Sequence, residues 1–152
     1  MYNLSELMDA SDRSQEIAKA WGESAEYWEK HNQTIRLLFA PVTEALIAAA
    51  GSTSGQSVLD VAGGAGEPSF KIASIVAPSG SVSYTDAAEQ MVAVAERSAK
   101  QLGVTNISFT HTRAESLPFE ENRFDAVVCR FGAMFFTEPL TACREMLRVA
   151  KP

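Results

Sequence analysis

Along the first third of the chain, apolar residues recur at helical spacing among polar ones. Helix formers dominate residues 12–32, with bulky groups at Ile17, Trp21, Tyr27 and Trp28. A second helical stretch is expected from about residue 33 to 50. Pro41 lacks a backbone N–H and is predicted to break or restart that helix, and Gly51 to end it. Gly51-Ser-Thr-Ser-Gly-Gln-Ser57 is a run of turn residues. It divides a helical N-terminal cap, residues 1–50, from a second unit, residues 51–152.

Beyond that linker, short apolar runs alternate with amphipathic ones. Strands are expected at 58–62, 81–85, 107–111 and 124–130, and helices at 68–76, 87–102 and 140–149. Met91, Val94, Ala95 and Ser98 fall on one helical face, and Gly103 caps that helix. This alternation predicts an α/β fold with right-handed crossovers and a parallel sheet covered by helices. In the usual order 3-2-1-4, Ala126-Val-Val-Cys129 is the edge strand, yet it is apolar without alternation, as a strand buried on both faces would be. Either the natural protein continues past Lys151-Pro152, or a second copy pairs there as a homodimer; continuation is the expectation.

The chemistry concentrates where the first strand ends, in Val58-Leu-Asp-Val-Ala-Gly-Gly-Ala-Gly66. Such a loop lets a ligand lie directly on the backbone. Asp86 follows Gly66 by 20 residues, at the end of the second strand, where a carboxylate can accept from two ribose hydroxyls. Together these features indicate an adenosine-containing ligand. A dinucleotide would want G-x-G-x-x-G with its pyrophosphate at the helix N-terminus, but Ser69 replaces the last glycine and Glu67 places an anion in the first helical turn. Glu67 and Asp60 oppose a diphosphate and tolerate the ammonium and sulfonium of S-adenosylmethionine.

Four segments in order then carry a resemblance. Leu59-Asp-Val-Ala-Gly-Gly-Ala-Gly66 resembles motif I of Rossmann-like S-adenosylmethionine methyltransferases, near the form in the ubiquinone/menaquinone-biosynthesis C-methyltransferase group. Tyr84-Thr-Asp-Ala-Ala-Glu-Gln-Met91 resembles the acidic strand end with its following helix. Ala114-Glu-Ser-Leu-Pro-Phe119 with Phe124-Asp-Ala-Val-Val128, and Leu147-Arg-Val-Ala-Lys-Pro152, match the later motifs. The last of these normally runs on into two glycines and a fifth strand, so the resemblance implies a Rossmann-like sheet cut short.

The same resemblance implies roles. Ala62, Gly63, Gly64 and Gly66 would carry the methionine part of the cofactor, with Asp60 nearby, and Asp86 would hold the ribose. Ala87 and Met91 would flank the adenine, Ala114 and Glu115 would border its other side, and Arg130 would lie near the methionine carboxylate or the substrate mouth. Relatives often carry Asp where this chain has Arg113, and arginine cannot accept from the adenine amino group. A nucleophilic acceptor would attack the sulfonium methyl in line with sulfur, so alignment and desolvation suffice and no triad is needed. Carbon, oxygen and nitrogen acceptors all remain open. The rival readings are a nicotinamide-dependent oxidoreductase and a cofactor-binding module without catalysis.

Other features set bounds. The 152 residues are 46% hydrophobic and 21% charged, ordinary for one globular domain. A net charge of −6 argues against nucleic acid as a partner and leaves a small-molecule methyl acceptor open. Residues 1–10 read as no signal peptide, and no continuous apolar run suggests a membrane span. Two cysteines without metal-ligand spacing suggest a reducing compartment, the cytoplasm. His31 and His111 are too far apart in sequence to suggest a metal site, and His111 reads as a strand-end residue. Cys129 reads as packed core. Tyr27 and Trp28 read equally as a lid over the cofactor or as packing, and Phe135 and Phe136 as core in preference to a substrate wall.

Overall fold

A computed structural model describes residues 9–152. The absence of a leader was read mainly on residues 1–8, which lie outside the described residues. Two long helices come first, α1 (Ala10–Lys30) and α2 (Asn32–Ala50). Strands β1 (Ser57–Val61), β2 (Ser81–Asp86), β3 (Ile107–His111) and β4 (Ala126–Val128) then alternate with α3 (Ser69–Val76), α4 (Glu89–Leu102) and α5 (Pro139–Val149). All strand pairs are parallel, in the expected order β3-β2-β1-β4. The register aligns Asp60 of β1 with Tyr84 of β2 and Val128 of β4.

The inner strands β1 and β2 are buried at almost every position and β4 is apolar throughout, as strands covered on both faces are. The edge strand β3, by contrast, is part-buried or exposed. Val58, Ile72, Val76 and Val82 form the core on one side. Leu59, Val61, Phe124 and Val149 form it on the other. The cap shares the first of these cores, since Ile47 of α2 packs into it. On α1, Ala25, Trp21 and Trp28 pack against Ala88, Met91 and Val94, which start and line α4. An Arg97–Glu29 ion pair of 2.8 Å ties the two helices at the surface.

Three expectations need correction. Pro41 does not interrupt α2, which runs unbroken through it. The bond it forfeits is to the Leu37 carbonyl, on a residue that is 68% exposed and open to water. Next, β4 is only three residues long where seven were expected. Before it, Asp125 turns its carboxylate back to accept from the Ser57 N–H at 2.7 Å, and after it the chain enters a left-handed turn at Phe131 (φ 66°). The third concerns membrane spans. By length and composition alone, the 19-residue α2 is apolar enough to cross a bilayer, a test that core helices of soluble proteins pass as well. Continuous apolar runs are the wrong measure there, because scattered Thr, Arg and Glu leave the average high. In this fold Ile47 and Thr43 of α2 face the sheet domain and are buried.

Beyond β4, the residues after α5 begin to pair with its outer side. Ala150 forms a parallel bridge with Phe124, and the Lys151 N–H donates to the Phe124 carbonyl at 2.8 Å. The rest of that edge has no partner strand among the described residues.

Candidate functional site

At the carboxyl ends of β1, β2 and β4 lies a cavity of about 470 Å³. This is the crevice where open α/β sheets place ligands, because strand order reverses there and the loops diverge. Its floor is the glycine loop. The N–H of Gly63 donates to the Thr85 carbonyl at 3.0 Å, locking the loop onto β2. The Tyr84 hydroxyl, from a fully buried side chain, donates to the Gly64 carbonyl at 2.5 Å. Gly64 has φ 56°, and a Cβ built there would meet nothing within 4 Å, so its backbone faces open space. A flat ligand can lie directly on that surface.

Asp86 completes the floor. Its Oδ2 accepts from the Gly64 N–H at 3.0 Å and its Oδ1 from the Ala88 N–H at 2.9 Å. A carboxylate offers about four lone-pair sites, so acceptor capacity remains for two hydroxyls. Burial pushes the Asp86 carboxyl above its ordinary range, while the Ala88 and Gly64 amides pull it back.

Nine of the eleven residues expected to hold the cofactor line this cavity: Ala62, Gly63, Gly64, Asp86, Ala87, Met91, Ala114, Glu115 and Arg130. Asp60 and Gly66 do not. Asp60 lies behind the loop with no exposure, where its Oδ2 accepts from the Ser69 hydroxyl at 2.5 Å and its Oδ1 has no protein partner. Burial raises its carboxyl to about 7, against the opposing pull of Ser69 and Arg130. Gly66, at φ 104°, is needed for packing: a Cβ there would lie 2.1 Å from Cζ of Phe70 on α3. Glu67 precedes α3 instead of occupying its first turn, and it lines the cavity with its Oε2 buried and without a protein partner. Desolvation raises its carboxyl too, against Arg130, Arg36 and Lys71.

On the side of the cavity formed by Ala114 and Glu115, Arg113 is engaged by protein groups. Its Nε lies 3.4 Å from Glu115 Oε2, and its Nη2 donates to Thr137 Oγ1 at 3.1 Å. Glu115 Oε1 also accepts from the Thr137 hydroxyl and the Glu138 N–H, each at 3.4 Å, so Glu115 is shared between Arg113 and the segment ahead of α5. Two other expectations shift. Tyr27 is 62% exposed and stacks on His31 away from the cavity, whereas Trp28 lines it. Phe135 and Phe136, read as core, also form cavity wall, Phe135 with 40% of its surface exposed.

Apart from Trp28, the roof was not legible in the sequence. Ile17 and Trp21 of α1, with Ile35, Arg36 and Phe39 of α2, close the cavity from above. Helical spacing marks these residues as a face but does not say what the face covers. His111 holds the Ala87 carbonyl at 2.9 Å from its Nε2, consistent with a strand-end role. Burial pushes the Cys129 thiol up to about 11, so it is a poor nucleophile near neutral pH. Among the described residues no cluster of His, Cys, Asp and Glu could hold a metal.

The sequence profile of the ubiE/COQ5 methyltransferase family matches residues 11–152. The ubiquinone/menaquinone biosynthesis C-methyltransferase UbiE of Pasteurella multocida is 40% identical over 103 residues, which are 67% of this chain and 38% of that protein. The chain thus spans about two fifths of the length of the curated relatives it matches. A SAM dependent methyltransferase from Aquifex aeolicus superposes with a TM-score of 0.68 at 31% identity, covering 72% of this chain and 58% of that one. The phosphoethanolamine N-methyltransferase 1 of Haemonchus contortus, at 18% identity, shares the fold over 99% of this chain and 32% of its own, with a TM-score of 0.80. That likeness includes the two roof helices.

Proposed function

The chain belongs to the ubiE/COQ5 methyltransferase family, and from that premise we propose that it binds S-adenosylmethionine in the cavity and serves methyl transfer to a small, largely apolar acceptor. The observation that carries this reading is the open backbone of Gly64 facing the Asp86 carboxylate in a cavity whose remaining walls are mostly apolar. The residues fit the cofactor. Ala62, Gly63 and Gly64 present bare backbone to its methionine part, and Glu67 offers a carboxylate to the ammonium, with Asp60 behind them and Gly66 giving the loop its shape. Asp86 takes the ribose. Ala87, Met91, Ala114 and Glu115 enclose the adenine, with Arg130 at the opposite, methionine end.

Bound there, the cofactor supplies an activated sulfonium methyl. The protein contributes alignment and exclusion of water. Trp21, Trp28, Phe39 and Phe135 make the roof apolar, so an acceptor beneath it is stripped of solvent. Carbon is the acceptor atom proposed, following the C-methyltransferase name of the similar Pasteurella protein. A cytoplasmic location and the absence of nucleic-acid partners accompany this reading, given a net charge of −6. Pairing of a second copy along the free part of β4 is proposed as well. A nicotinamide dinucleotide suits the site less, because Glu67 among the lining residues would oppose its pyrophosphate.

Calorimetric titration tests the reading. S-adenosylhomocysteine should bind more tightly than NADH, and Asp86→Asn should weaken it by about tenfold or more, or ~1.4 kcal/mol. Tighter binding of NADH, or an unchanged affinity in Asp86→Asn, would overturn it.

A further inference from the structure

Directly after β4, one short segment touches both the floor and the roof. Arg130 Nη1 donates to Thr43 Oγ1 of α2 at 2.6 Å, and Nη2 donates to the Glu67 carbonyl at 2.9 Å. The guanidinium also lies over the rings of Phe39 and Phe131, 5.6 and 5.9 Å from their centroids. Phe131 meets Phe39 of α2 edge-on at 5.1 Å, and Phe135 meets Trp21 of α1 in the same way at 5.1 Å. Below, Gly132 rests on the glycine loop so closely that a Cβ would lie 2.4 Å from the Cβ of Ala62.

We propose that Arg130 is a positioning residue: with Phe131 and Phe135 it clasps α1 and α2 over the cavity and couples their closure to the glycine loop. Its two terminal nitrogens are engaged by protein acceptors on different elements, so it holds the roof instead of presenting a free cation to the cavity. The task needs a planar fork. A lysine ammonium carries its three donors on one nitrogen and lacks the two spaced nitrogens that meet Thr43 and the Glu67 carbonyl separately. Thr43 is only 3% exposed, so water does not readily replace the guanidinium there. Burial disfavours the guanidinium's charge, and Asp60 and Glu67 offset this in part from beneath. Little else fastens α2 at this level: its other polar tie to the sheet domain, Lys71–Glu44, is on the surface at 3.1 Å.

The inference rests on the cofactor reading only for its ligand probe. Amide hydrogen exchange of the whole chain tests the clasp without any ligand, in wild type, Thr43→Val, Arg130→Lys and the double variant. Both single variants should exchange about fivefold faster over residues 36–47 while β1 and β2 keep their protection. The double variant should be no faster than the faster single one, because both changes remove the same bond. S-adenosylhomocysteine should protect residues 36–47 in wild type and do so less in either variant, which a loss of general stability would not reproduce. Unchanged exchange over 36–47 in both variants, or acceleration spread equally over β1 and β2, overturns the clasp. If the wild type fails to bind S-adenosylhomocysteine, the cofactor reading falls, and the ligand-free comparison still decides the clasp.

Discussion

The floor and the roof of the cavity are held by different forces. In the floor, Val58, Leu59, Asp60 and Tyr84 have no solvent exposure, and the loop is fastened by backbone hydrogen bonds to β2 and to Asp86. In the roof, only Ala25, Thr43 and Ile47 of the two long helices are buried. Leu37, Leu38 and Val42 of α2 face outward with 68%, 70% and 43% exposure. A floor so built has one geometry. A roof attached through a few side chains can open at modest cost, because local opening follows the density of buried contacts. The contrast suits a site that must hold one cofactor rigidly yet admit and release a second molecule.

The largest expected effect comes from disturbing the floor's packing. Gly66→Ala forces a methyl group into the Phe70 ring at a backbone angle unfavourable for alanine. It should lower stability by about 3 kcal/mol in urea unfolding; a loss below ~1 kcal/mol would mean that the floor yields as readily as the roof.

Asp60 provides a second probe, of charge instead of shape. Its carboxyl stands at about 7 in the folded protein against an ordinary 3.8. The folded state therefore binds more protons than the unfolded state between those values. The stability linked to this group is full below about pH 4 and is lost as pH rises through 7. Asp60→Asn stays neutral and still offers an oxygen to Ser69. Its advantage over wild type should be about 2 to 3 kcal/mol larger at pH 8 than at pH 5. An advantage that stays the same between the two pH values would show that the buried floor solvates this charge.

The smallest effect belongs to the roof. Trp21 lies 5.5 Å from Trp28 and 5.1 Å from Phe135, ring to ring. Trp21→Ala should cost about 1 kcal/mol or less, well under the 3–5 typical of aromatic truncation in a core. A loss in that higher range would erase the distinction between floor and roof.

What could be read from the chain follows this division. The glycine loop, Asp86 and the helix ends at Gly51 and Gly103 were legible because each rests on local backbone chemistry. Glycine accepts left-handed angles, and an acid at the end of β2 meets the loop whenever the two strands are neighbours. Pro41 misled because a proline inside a helix is disruptive only if its missing bond strands a buried carbonyl, and Leu37 is exposed. The length of β4 misled because its apolar residues continue past the point where Asp125 and Phe131 turn the chain away.

The amino-acid sequence by itself determined the order of elements, the parallel sheet and the chemistry of the floor, since these depend on residues adjacent in the chain or one crossover apart. Tertiary structure alone decided that Trp21 and Phe39 face the cavity, and that Arg130 ties α2 to the glycine loop through Thr43. Those contacts link residues 87 positions apart, as in Arg130 to Thr43. Their geometry depends on how two helices rotate against a finished sheet, which no local pattern encodes.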